Sequence, residues 1–76
     1  HHIVPLSAQR EVPDINLDCL ENLAPLCPIC HAAIHCGTDD VRRNIFEQLL
    51  TRYAGSLNSI GISADLAREL YEKYSI

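Results

Sequence analysis

Two histidines at positions 31 and 35 are the first pair whose spacing suggests chemistry. They are four residues apart in the segment CPICHAAIHCG, which covers residues 27–37. Side chains four apart on a helix project from the same face, and two imidazoles placed this way can bind one divalent cation. Exposed helices also carry such pairs by chance, so the spacing alone leaves both interpretations open.

A second histidine pair, His1 and His2, opens the chain. Taken alone, this pair is equally compatible with a remnant of a purification tag or with a solvated terminus that has no role. Neutral imidazoles bind metals and accept protons, so the same pair is also a candidate for metal binding or acid–base chemistry.

Four cysteines, at positions 19, 27, 30 and 36, lie close in sequence to His31 and His35. Beside histidines, this grouping favours metal binding or free thiols over disulfides. Cys27 and Cys30 form a C-x-x-C, which is half of a structural zinc site. Cys19 and Cys36 could complete it, but that spacing matches no standard zinc site, and buried free thiols are the plainer alternative. A thioredoxin-like redox pair is disfavoured because no βαβ pattern surrounds the motif.

The elements that must position these residues differ between the two halves of the chain. In residues 1–37, Ile3, Val4 and Leu6 predict a short strand, which Pro5 would confine to an edge or bulge. Residues 7–18 predict a loop, and residues 20–26 a weak second strand. Residues 28–36 predict a short helix, because proline suits a first helical position and Gly37 suits the position just past the end.

Residues 38–76 predict two amphipathic helices. Thr38 is a candidate N-cap, and the two aspartates after it suit the start of a helix. An apolar stripe with helical spacing follows, and Ser63 is a candidate cap for a last helix with its own stripe. The first stripe contains Val41, Ile45, Phe46, Leu49, Leu50 and Tyr53, and the second contains Leu66, Leu70, Tyr71 and Tyr74.

Composition limits the class of protein. A chain of 76 residues allows one small domain, and no apolar run approaches the length of about 20 residues that crosses a bilayer. No secretory leader is recognisable at the N-terminus, so we expect a cytoplasmic protein. The net charge of −4 argues against a protein that holds DNA by charge alone. A bound divalent ion would nevertheless supply a local positive field.

Read together, these segments resemble the signature of the HNH endonucleases. Residues 1–6 read HHIVPL, residues 21–31 read ENLAPLCPICH, and His35 follows. The resemblance covers about residues 1–36 and makes the tag interpretation improbable. It implies an α+β fold with a small ββα-metal (His-Me finger) core in residues 1–37. Residues 38–76 would then be a helical extension packed on the same core.

The resemblance also implies roles for five residues. His2 matches the general base that takes a proton from the attacking water, and Asn22 matches the asparagine that holds the base and its strand in place. His1, His31 and His35 match the metal ligands of the three-histidine variant seen in nuclease colicins. Many family members have a second C-x-x-C before the histidine pair, so we expect this chain to be a fragment. Adjacent residues on a regular strand point to opposite faces, so His1 and His2 can serve one phosphate only if the strand bends or ends there.

The expected function is therefore metal-dependent hydrolysis of a phosphodiester, in DNA and with double-stranded DNA as the partner. One divalent ion would act as a Lewis acid, with Mg, Mn, Zn and Ni not distinguished. Family habits suggest the cleavage module of a restriction or defence enzyme, and a double-strand cut would require two copies, as in a homodimer. The alternative is a catalytically silent structural zinc module of a larger protein.

The remaining arginines and tyrosines favour structural interpretations. Arg42, Arg43 and Arg52 could touch phosphate, but a solvated face paired with Glu47 and neighbouring acids is the preferred interpretation. The tyrosines at 53, 71 and 74 lie in apolar stripes and are expected in the core rather than stacked on bases.

Overall fold

The computed structural model describes residues 1–75 and is mostly helical. Two short 3₁₀ helices, Leu6–Glu11 and Leu20–Asn22, occupy the N-terminal part. Three α-helices follow, and they are α1 (Pro28–Cys36), α2 (Asp39–Ser59) and α3 (Ala64–Ser75). None of the helices within residues 1–75 has the length and hydrophobicity needed to span a bilayer.

The prediction of an α+β fold with a ββα core is wrong. Within residues 1–75 the only strand-type pairing is an isolated antiparallel bridge between His2 and Leu23. Its backbone hydrogen bonds run from Ile3 N to Asn22 O (2.8 Å) and from Ala24 N to His1 O (2.9 Å). The two segments predicted as strands therefore meet over three residues each and form no sheet.

Local chain chemistry explains why this pairing stays so short. Pro5 has no N–H to donate to a ladder and caps the 3₁₀ helix that begins at Leu6. On the other segment, the 3₁₀ turn Leu20–Asn22 ends only where the bridge begins. The predicted loop over residues 7–18 is also wrong in part, because most of the first 3₁₀ helix lies there.

The prediction for α1 is confirmed at both ends. Pro28 is the first helical residue, and the Cys27 side chain caps the helix by accepting from Cys30 N. Gly37 N donates to Ala33 O at 2.8 Å, and a Cβ at Gly37 would lie 2.4 Å from that same oxygen. A glycine is thus required at the end of α1 by close approach of the backbone.

The two longer helices also follow the sequence pattern. Thr38 Oγ1 accepts from Val41 N and caps α2, while Ser63 Oγ accepts from Leu66 N and caps α3. α2 is interrupted at Tyr53, whose φ of −110° and ψ of 16° are not helical. Most stripe positions are buried or half-buried, whereas Val41 is 44% exposed.

One hydrophobic core joins both halves of the chain. Ile3, Val4 and Leu17 from the irregular N-terminal part are fully buried in it. Helical residues complete the same cluster, including Ile34, Phe46, Leu50, Leu57, Leu70 and Tyr71. The segments that carry the histidines are therefore held in place by their own apolar side chains, which pack in this core.

Candidate metal centre

Three histidines from two parts of the chain meet at one point. His31 and His35 lie one turn apart on α1, and their ring centroids are 4.7 Å apart. The ring of His1 packs against both, with centroid distances of 5.8 Å to His31 and 5.2 Å to His35. The bridge to residues 22–24 holds the His1 backbone in place beside α1.

The donor set of this cluster fits a divalent metal. One ring nitrogen from each histidine can be chosen so that all three lie within 4.8 Å of one another. Nε2 of His1 is buried and has no hydrogen-bond partner within residues 1–75. An unpaired buried nitrogen is costly unless a ligand uses it, and neutral imidazoles are common ligands of zinc and nickel. The three side chains could therefore hold one ion and leave a coordination position for water or substrate.

His2 is not part of this cluster and contacts an acid. Its Nε2 lies 3.0 Å from Oδ1 of Asp18, a residue that is 73% exposed. Because an ionised carboxylate only accepts hydrogen bonds, Nε2 carries the hydrogen, and in the neutral imidazole Nδ1 then keeps its lone pair. Asp18 was not predicted from the sequence, because no spacing relates it to a histidine 16 residues earlier in the chain.

Both N-terminal histidines nevertheless border one open pocket, of about 320 Å³, hereafter the histidine pocket. Its lining includes His1, His2, His31, His35, Arg42 and Tyr71. The extended segment ends within a few residues, and His1 and His2 both line this one cavity. The histidine pocket could admit a phosphate group near both the metal ligands and His2.

Asn22 holds the loops that carry His2 and Asp18. Its side chain is fully buried and makes three hydrogen bonds. Oδ1 accepts from Val4 N at 2.9 Å, and Nδ2 donates to Val4 O at 2.9 Å and to Leu17 O at 2.8 Å. Asn22 thus links Val4, two residues after His2, to Leu17, one residue before Asp18. It makes no hydrogen bond to the His2 ring.

The arginines differ from one another in their partners. Arg43 pairs with Glu72 at 2.6 Å, and Arg52 lies over the Tyr53 ring. Arg42 instead donates to two backbone carbonyls, Ile34 O and Ser75 O. Of the three arginines considered as phosphate contacts, Arg42 is the one that lines the histidine pocket.

The tyrosines also separate into different environments. The Tyr71 ring stacks on Phe46 with centroids 4.0 Å apart, and Tyr74 donates its hydroxyl hydrogen to Glu11. Tyr53 packs half-buried against the core. Tyr71 is therefore a core residue as expected, but one that also lines the histidine pocket.

The cysteines do not assemble into a second metal site. All four are free thiols, and within residues 1–75 the three histidines are the only group of three or more potential ligands that lie close together. Cys27 and Cys30 remain together at the start of α1. The hydrogen bond from Cys30 N lowers the pKa of the Cys27 thiol, and the interaction with Cys27 raises the pKa of Cys30.

Comparison with known proteins identifies one family. The family model described as HNH endonuclease matches residues 1–41, which is more than half of the chain. The matched region includes the three clustered histidines, His2, Asp18 and Asn22. No curated protein and no solved structure matches the chain.

Proposed function

Because the chain belongs to the HNH endonuclease family, whose members act on nucleic acids and bind a metal, we propose that it hydrolyses phosphodiester bonds in DNA with the help of one divalent ion. The observation that carries this proposal is the meeting of three imidazoles beside a fourth, non-ligating histidine in one pocket. A purely structural metal site has no use for that additional histidine.

We assign His1, His31 and His35 as the metal ligands. When bound, the ion would supply a Lewis acid that polarises the phosphate and stabilises charge on the leaving oxygen. The cluster offers three protein ligands rather than four within the described residues, which is typical of catalytic rather than structural zinc sites.

His2 is assigned as the general base. Its Nδ1 is free to take a proton from a water molecule, because Nε2 is engaged with Asp18. Asp18 is assigned as a positioning residue, since its carboxylate fixes both the tautomer and the orientation of the imidazole. Asn22 supports the pair from below by tying together the two loops.

The first experiment is plasmid nicking by the purified chain with Mg²⁺, Mn²⁺, Zn²⁺ or Ni²⁺ or with chelator, beside His2→Ala. Loss of a general base lowers the rate by about 10²–10⁴-fold, and we expect that fall in kcat while metal binding is retained. Asp18→Ala should reduce kcat less than His2→Ala. Asn16→Ala is the matched control, because it removes an exposed polar side chain of the same loop that accepts a hydrogen bond from Asp18 N and leaves the Asp18 carboxylate in place.

The alternative function, a structural metal module without activity, predicts a different result. Wild-type protein would then bind the ion and leave both DNA and RNA intact under every metal tested. His2→Ala would change nothing in that case. Such a result would refute the nuclease proposal, whereas nicking that persists in chelator would refute the role of the ion.

A further inference from the structure

Arg42 differs from three of the five other Lys and Arg side chains of the chain in what it contacts. Arg43, Arg68 and Lys73 each bind carboxylates, namely those of Glu72, of Glu47 with Asp65, and of Glu11. Within residues 1–75, no carboxylate lies within ion-pair distance of the Arg42 guanidinium. Its hydrogen bonds go to the carbonyls of Ile34 and Ser75, which are neutral acceptors.

These two hydrogen bonds hold the guanidinium in place and leave some of its N–H donors unused. A guanidinium has five N–H donors in a planar fork, and two backbone acceptors leave several of them available. Arg42 is half-buried and borders the histidine pocket. A charge held rigidly at the edge of a pocket is suited to bind an anion, because little side-chain entropy remains to be lost.

Tyr71 supplies a second observation in the same pocket. The residue is only 4% exposed, and its buried hydroxyl finds no acceptor for its hydrogen within residues 1–75. Burial raises the pKa of this hydroxyl, against the opposing charge and hydrogen bond of the Arg42 guanidinium, so it stays a protonated donor. A buried hydroxyl whose hydrogen has no acceptor costs free energy and calls for an explanation, such as a ligand that accepts this hydrogen bond.

We propose that Arg42 and Tyr71 form an anion subsite that binds a backbone phosphate of the nucleic acid beside the three histidines. The identity of the anion rests on the proposed function, whereas anion binding itself rests on the two side chains. Arg42 would supply charge and paired N–H donors, and Tyr71 would supply a single O–H donor. The subsite also gives an acidic protein of net charge −4 a local positive point in the histidine pocket.

Tyr71→Phe is the sharpest test, because it removes the hydroxyl and keeps the ring stacked on Phe46. The matched control is Tyr74→Phe, which removes a hydroxyl bound to Glu11 outside the histidine pocket. For the charge, Arg42→Gln is compared with Arg43→Gln, which removes the same charge at the next residue. The probes are inorganic phosphate, followed by NMR, and a short DNA duplex with phosphorothioate linkages that slow hydrolysis, followed by fluorescence anisotropy. Both are titrated into the zinc-loaded full chain.

We expect Tyr71→Phe and Arg42→Gln to weaken both probes by about 10-fold or more, the order expected for one hydrogen bond to a charged group. The two controls should bind as wild type does. Tyr71→Phe should keep or exceed the wild-type thermal stability, because it removes an unpaired buried hydroxyl, whereas a merely structural hydroxyl would lower stability and leave binding unchanged.

Failure of the subsite is distinguishable from failure of the nuclease proposal. Wild-type affinity of Tyr71→Phe and Arg42→Gln for both probes would overturn the subsite even if the chain nicks DNA. No binding of either probe by wild type would overturn it too. Weakened phosphate binding with unchanged duplex binding would overturn its assignment to nucleic acid. Weakened binding of both probes in a chain that cuts no DNA would support the subsite and refute the nuclease.

Discussion

Replacing Asn22 with alanine should remove much of the stability of this domain. The substitution leaves three buried backbone groups without their side-chain partner, namely the N–H and C=O of Val4 and the C=O of Leu17. Each buried group left unpaired costs about 1–3 kcal/mol, and water that enters the space left by the amide recovers part of this. We therefore expect Asn22→Ala to lower the free energy of unfolding by about 3–5 kcal/mol.

That loss is large for a chain of this size. At roughly 0.05–0.15 kcal/mol per residue, the whole domain has a stability of about 4–11 kcal/mol. A loss of 3 kcal/mol or more should lower Tm by at least about 12 °C, since small domains shift by roughly 4–8 °C per kcal/mol. Asn22→Asp should be no better, because it places a carboxylate oxygen against the carbonyls of Val4 and Leu17.

The assay is urea denaturation in the presence of chelator, so that metal binding does not add to the stability. The chain has no tryptophan and three tyrosines, so far-UV circular dichroism and tyrosine fluorescence are the two probes. Asn16→Ala is the matched control, because its side chain makes one exposed hydrogen bond, to Asp18 N. An Asn22→Ala protein within about 1 kcal/mol of wild type, the net contribution of one ordinary hydrogen bond, would refute the argument that Asn22 joins the two loops.

Two further predictions concern the metal and acid pH. Zn²⁺ at about 100 times its Kd should stabilise the wild type by about 2.7 kcal/mol, seen as a higher Tm. His35→Ala should lose this gain while Cys36→Ala, an exposed neighbour, keeps it; equal gains would contradict the metal assignment. The hydrogen bond from Lys73 lowers the pKa of Glu11 below its ordinary 4.5, so its stabilising effect is present above that pH and is lost as the pH falls through the lowered value. Denaturation midpoints of Glu11→Gln should therefore depend less on pH in that acid range than those of wild type or Glu21→Gln, and identical profiles would contradict the cause given.

The helical part of the fold could be predicted because its signals are local. Pro28 and Gly37 bound α1 through the geometry of their own backbone, and Thr38 and Ser63 cap the helices that follow them within three residues. The periodic apolar stripe of α2 needs no information about distant residues either. These features are read from neighbouring positions in the chain.

The N-terminal part was predicted wrongly because its structure depends on distant contacts. Ile3 and Val4 are buried, as their residue types indicate, yet β-branched residues do not by themselves form a strand. A sheet needs a partner of sufficient length, and the partner segment here turns into a 3₁₀ helix at Leu20–Asn22. Whether two short segments pair over three residues or six is decided by tertiary packing.

The candidate site also has one part that local sequence predicts and another part that depends on distant contacts. The closeness of His31 and His35 follows from helical spacing, whereas the arrival of His1 beside them requires a backbone contact with Ala24, far along the chain. Asp18 could not be found from sequence, because an acid in a polar loop gives no sign of its partner. The unpaired hydroxyl of Tyr71 could not be predicted from sequence either, since the residue type and position indicated only a ring in the core.

Residues 1–75 contain no sheet, so other contacts must hold the residues of the histidine pocket in place. The buried side-chain amide of Asn22 makes several of these contacts. Val4 and Leu17 lie close in sequence to His2 and Asp18, and Asn22 binds the backbone of both. The residue after it, Leu23, pairs with His2 in the isolated bridge, and Ala24 holds the His1 backbone beside α1. Residues 22–24 thus connect the proposed base, its acid partner and the first proposed metal ligand. A disturbance at Asn22 should therefore alter base positioning and metal affinity together, whereas a disturbance on α1 should alter metal affinity alone.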